Sequence, residues 1–182
     1  MHTAATTPIA EHAFWMRVAG AGAFASGLAG IPMVATLLAM YIGFALGPNA
    51  RSTALRLGAI NDALAIVVYG LVLPVVPAMH VLLRETGSAR SLLLAAVGAA
   101  GIVVTMILQW LLVTGVMTFE EQIAPVSIAL LAVGAWMVGT GILARGTGLL
   151  PRGLRDGLLG AVYVGFPVWA FGIGRRLLAG PR

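Results

Sequence analysis

Apolar stretches follow one another along almost the whole chain, divided by short segments that carry most of its charge. The pattern predicts five helices long enough to cross a bilayer, at about 14–45, 57–82, 91–118, 125–144 and 156–174. A helical crossing takes about 20 apolar residues. The first apolar region, 14–47, equals roughly 50 Å of helix, more than one crossing and less than two with a turn. One span with an interfacial extension is expected there, and dividing it would raise the count to six. The expected fold is all-α: one polytopic helical membrane domain over 1–182 with short loops.

The interruptions have their own chemistry. Gly47-Pro48-Asn49 is a turn signal ahead of Arg51 and Arg56. Pro74 and Pro77 break the regular ladder near the end of the second span, and Arg84, Glu85 and Arg90 mark the next loop. Glu120 and Glu121 form a loop with no basic residue, and Pro125 suits the first turn of the fourth helix. From Gly139 to Phe166 an apolar run ends, a short arginine-bearing loop follows, and a glycine-rich apolar run begins. Arg145, Arg152 and Arg155 in that hairpin are placed to meet lipid headgroups.

Composition sharpens the membrane reading. Only 9% of residues are charged and 60% are hydrophobic, with a mean hydropathy of +1.00. A soluble domain carries about 25% charged residues, so this chain has too few to cover a water-facing surface. The net charge of +5 comes from eleven basic residues, all arginine. They lie at the ends of apolar runs, which points to headgroups and topology and away from nucleic acid. The contrast between the arginine-rich hairpins and the Glu120-Glu121 loop puts the hairpins and the N-terminus in the cytoplasm. The polar opening, 1–13, has no lysine or arginine, so the first span is expected to direct insertion without a signal peptide. With no cysteine, disulfides, thiolate metal sites and cysteine nucleophiles are excluded.

Small residues recur at four-residue spacing in three places: Gly22, Ser26 and Gly30; Ala135 and Gly139; and Gly153, Gly157, Ala161 and Gly165. Such faces let membrane helices approach closely, and the last is the most regular. Few polar groups lie inside spans. Asp62, beside Asn61, must face a neighbouring helix, water or a basic partner such as Arg56. Gln109 is expected to hydrogen-bond to another helix. His80, after the prolines, is the weak candidate for holding a haem or pigment; its ordinary role is a hydrogen-bonded interfacial side chain. No cofactor is otherwise predicted. No phosphate loop, zinc-protease or serine-hydrolase motif occurs, and no second intramembrane acid or multi-histidine cluster supports catalysis or a metal site. An enzyme is not expected.

The segment 136–163, WMVGTGILARGTGLLPRGLRDGLLGAVY, resembles the late hairpin of a family of small bacterial multi-pass membrane proteins, domain-of-unknown-function family 4386. The matching elements are Gly139, Gly141, Arg145, Gly148, Pro151, Arg152, Gly157 and Gly160. Arg17-Val18-Ala19-Gly20 is similar to its opening. Arg56-Leu57-Gly58 with Asp62, ending at His80 to Arg84, is similar to its second span. The resemblance implies a helical protein of the bacterial inner membrane, with six spans usual in the family. It implies no activity and no catalytic residues.

Two functions remain in view. The first is a structural or accessory subunit that packs through small-residue faces against other membrane subunits or itself. The second is a small transporter, channel or lipid-handling protein using Asp62 and Gln109 near proline-broken helices.

Overall fold

The computed structural model describes residues 7–147, with side chains from residue 13. Every regular element among them is helical. Four helices follow in order: α1, Thr7–Ala45; α2, Arg51–Val72; α3, Val75–Val113; and α4, Phe119–Leu143, with short 3-10 turns at Pro48–Ala50 and Ala144–Gly146. By length and composition three stretches can cross a membrane: Ala13–Ala45, Pro48–Val113 and Phe119–Leu143. The predicted fifth span, 156–174, lies outside the described residues.

Helix α1 is unbroken from Thr7 to Ala45, with Pro32 inside it. A proline there removes the N–H that would bond four residues back, and neighbouring hydroxyls commonly re-satisfy such backbone. One turn on, the Thr36 hydroxyl back-bonds within the helix, donating to the carbonyls of Pro32 and Met33 at 2.9 Å each. The helix ends where Gly47 takes a positive φ of 94°. Near its start Phe14 and Trp15 pack edge-to-face, 5.8 Å between centroids, both exposed beside Arg17. Aromatic rings next to an arginine suit the headgroup level.

The 66-residue stretch Pro48–Val113 would extend about 99 Å if straight, far beyond a bilayer. It does not run straight. Leu73 and Pro74 stay in right-handed helical conformation, so α2 leads into α3 with only a local defect. Pro77 cannot donate to Leu73, and that carbonyl instead accepts from Val76 at 3.2 Å. The reversal comes at Gly87, where an extended backbone (φ 167°, ψ 84°) separates two arms of α3. A Cβ on Gly70 of α2 would lie 3.5 Å from Met106 of the second arm, and His80 bonds to Ser91 across the turn. Those pairings make the second arm antiparallel to α2 and the first arm.

Helix α3 stops in a Schellman motif. Gly115 has φ 73°, Val116 N–H donates to Leu111 at 2.9 Å, and Gly115 N–H donates to Leu112 at 3.0 Å. Helix α4 then starts earlier than its apolar run implies. Thr118 and Glu121 form a capping box, with Thr118 N–H donating to the Glu121 carboxylate at 2.8 Å. Glu120 and Glu121 therefore belong to the first turn of α4 and not to a loop. Pro125 sits inside the helix and not in its first turn. Two acids at a helix N-terminus also complement its dipole.

Helix α1 packs chiefly on α2 and α3 chiefly on α4, and the buried set mixes apolar side chains such as Trp136, Met33 and Ile102 with small and polar ones. Ala19, Ala23, Ser26, Ala54, Thr105, Gln109, Gln122 and Thr140 are buried. Ile42, Leu93, Trp110, Ile128 and Leu131 are exposed. Water would penalise such a surface, whereas lipid accepts it and leaves close packing and hydrogen bonds to hold the helices together.

Candidate functional site

Two seams and two polar spots contain the described residues with chemistry to offer. The first seam joins α1 and α2. Gly22 faces the α2 backbone so closely that a Cβ there would lie 2.5 Å from the Leu71 carbonyl oxygen. Ser26 is fully buried and donates to the carbonyl of Val68 at 3.0 Å. Gly30 is buried on the same face. Farther along, Met40 lies against Gly58, and Gly43 against Ala54. The paired contacts run antiparallel along the two helices.

The second seam joins the second arm of α3 to α4. The Trp136 indole is laid on Gly98, where an added Cβ would meet ring and Cβ atoms at under 3.0 Å. Gly101 faces the Ala129 carbonyl, and Gly139 of α4 faces Leu94. Ala135, which the spacing pairs with Gly139, is exposed. The small face in this seam thus belongs mainly to α3, through Gly98 and Gly101, and α4 supplies the large ring. At its end Gln122 donates through Nε2 to Gln109 Oε1 at 3.1 Å, and both side chains are buried. Spacing singled out neither Gly98 nor Gln122. The signal for Gln122 was its place one turn into a capped helix, opposite Gln109 across a short turn.

At the Gly87 turn, His80 Nδ1 lies 2.9 Å from Ser91 Oγ, and Ser91 donates to the Ser88 carbonyl at 3.0 Å. With the hydroxyl proton directed at Ser88, a histidine Nδ1–H would be the donor to Ser91. That tautomer is the one a ligating histidine adopts when its other nitrogen is held. His80 is only half-buried, and no group of three or more His, Cys, Asp or Glu side chains that could hold a metal occurs among the described residues.

The second polar spot is Asn61-Asp62. Asn61 is 7% exposed, and its Nδ2 donates a long bond, 3.4 Å, to Asp62 Oδ1. Its own Oδ1 is buried and has no hydrogen-bond partner among the described residues. Asp62 is half-buried and forms no ion pair among them; Arg56 does not reach it. Gln109 is engaged with Gln122, so no bond joins Gln109 to Asp62. Arg145 is exposed in the turn that follows α4. Gly153, Gly157, Ala161, Gly165, Arg152 and Arg155 lie outside the described residues.

No family model, no curated protein and no solved structure matches the chain.

Proposed function

We propose that this protein is a multi-pass helical protein of a bacterial cell membrane that works as a non-catalytic structural or accessory subunit. It binds other membrane subunits or itself through its helix faces. The observation that carries this reading is how the polar side chains inside the helix seams are used. Ser26 is bonded to Val68 across the first seam, Gln109 to Gln122 across the second, and His80 to Ser91 across the turn. A conducting or transporting pathway keeps intramembrane polar groups free for its cargo. Ser26, Gln109 and His80 act as glue between helices, and the Asn61-Asp62 pair does not. The resemblance of 136–163 to family 4386 is in keeping with the same reading, with the Gly153–Gly165 stripe as the expected face for a further helix.

In membrane terms, α1, α2 with the first arm of α3, the second arm of α3, and α4 would be four antiparallel spans. The segment 156–174 would be the fifth. Gly87 and the 145–155 hairpin would lie in the cytoplasm.

Purification from the native membrane in a mild detergent tests the role directly. A defined complex, or a discrete homo-oligomer, is the expected result. A clean monomer that cross-links to nothing in intact membranes would overturn it. The transport reading loses Gln109 as a partner of Asp62 and rests on the Asn61-Asp62 pair alone.

A further inference from the structure

We propose that Asn61 and Asp62 hold one monovalent cation of sodium size between α2 and α1. The site goes beyond the packing role and does not depend on it. Three observations carry it. Asn61 Oδ1 is buried without a partner. Asp62 stands beside it without an ion pair among the described residues. The third is the helix opposite. The register that pairs Met40 with Gly58 and Ser26 with Val68 sets Asn61 against the turn 33–37 of α1. That turn contains Thr36, whose hydroxyl proton is spent on the carbonyls of Pro32 and Met33, leaving its lone pairs available.

The chemistry follows from those groups. An amide oxygen, an ionised carboxylate and a hydroxyl with its proton engaged are all acceptors, so the place selects a cation over an anion or a neutral hydrogen-bonding solute. Oxygen donors suit hard cations. Charge sets the valence: one carboxylate in a low-dielectric seam balances one positive charge. No cluster of three or more acidic or histidine side chains is available among the described residues to balance more. Arg56 lies about 9 Å away along the helix axis, near the expected headgroup level, and leaves that balance open. Size follows from packing. The helices approach closely on both sides of the site, at Gly58 with Met40 Sδ 3.0 Å from an added Cβ, and at Ser26 with Val68. A sodium or lithium ion fits such a seam better than potassium.

The test is thermal unfolding of the purified full-length chain in nanodiscs, in sodium, potassium or choline chloride at equal ionic strength and fixed pH. Sodium should raise Tm saturably by about 5 °C over choline, with potassium weaker. Asp62→Asn and Asn61→Leu should each abolish the sodium response, while Ser127→Ala, exposed on α4 and away from the site, should keep it. Equal Tm in all three salts would overturn the site and leave the Asn61 oxygen to a buried water. A rise on acidification with no sodium dependence would overturn it in favour of a proton. Should the variants not fold, the wild-type salt series still decides. Sodium-23 line broadening that excess lithium removes would support the site, and its absence would count against it. None of these readouts involves a partner protein, so failure of the cation site and failure of the accessory role are separable.

Discussion

His80 and Ser91 meet 2.9 Å apart across the turn at Gly87, each on a different arm of α3. Ser91 gives its proton to the Ser88 carbonyl, so the imidazole N–H closes the hairpin. Hydrogen bonds between membrane helices are worth about 0.6 kcal/mol on average, and this one closes a turn at the end of two such helices.

Ser91→Ala leaves the His80 donor without that acceptor while keeping the helix. The expected loss is about 1 kcal/mol, measured by thermal or denaturant unfolding in detergent. His80→Gln, which can still donate to Ser91, should lose less. If both variants matched wild type, the pair would have no part in holding the turn.

The glycines separate into those with rigid neighbours and those with yielding ones. At Gly98 a methyl group would enter the Trp136 ring, and at Gly22 it would meet the Leu71 carbonyl. At Gly58 it would meet the end of the flexible Met40 side chain, at 3.0 Å. Gly98→Ala and Gly22→Ala should therefore destabilise by about 1–3 kcal/mol, because ring and backbone must shift. Gly58→Ala should stay within about 1 kcal/mol, offset by helix propensity. The three can be ranked in one detergent-unfolding series; equal losses would defeat the packing account.

These residues also show what could be read from sequence alone. The helical, apolar character was legible because long apolar runs with almost no charge admit little else. Gly22 and Ser26 were legible because small residues at four-residue spacing mark a close-packing face. Gly98 and Gly101 were not, because their spacing is three and their partner is a large ring whose position depends on α4. Likewise, apolarity alone cannot locate the start of α4. The Thr118–Glu121 capping box fixes it with polar residues that look like a loop. The burial of Asn61 Oδ1 depends on which face of α2 meets α1, a tertiary fact.

Gln109 and Gln122 invite a double-mutant cycle. Leucine at either position alone strands a buried amide, at about 1–3 kcal/mol. Leucine at both removes the stranded group and should recover part of that loss. The coupling expected from membrane hydrogen bonds is about 0.6 kcal/mol and no more than about 1.7. Strictly additive losses would mean that the 3.1 Å bond contributes nothing.

The turns supply the last prediction, because the chain has no cysteine to remove before introducing single ones. Antiparallel packing puts the turn at Pro48–Ala50 and the Gly115 turn at one end of the helices and the Gly87 turn at the other. Asn49→Cys and Val116→Cys should thus react with a membrane-impermeant maleimide from one side, and Ser88→Cys only from the opposite side. Arginines flank Gly87 on both sides, at Arg84 and Arg90, whereas the Gly115 turn leads into Glu120 and Glu121. On the proposed topology that asymmetry would put Ser88 on the cytoplasmic side, so it should be protected in intact cells and labelled after permeabilisation. Labelling of all three from the same side would mean that the folded stretch Pro48–Val113 does not cross the bilayer as two arms. Inverted labelling would keep the fold and reverse only the orientation.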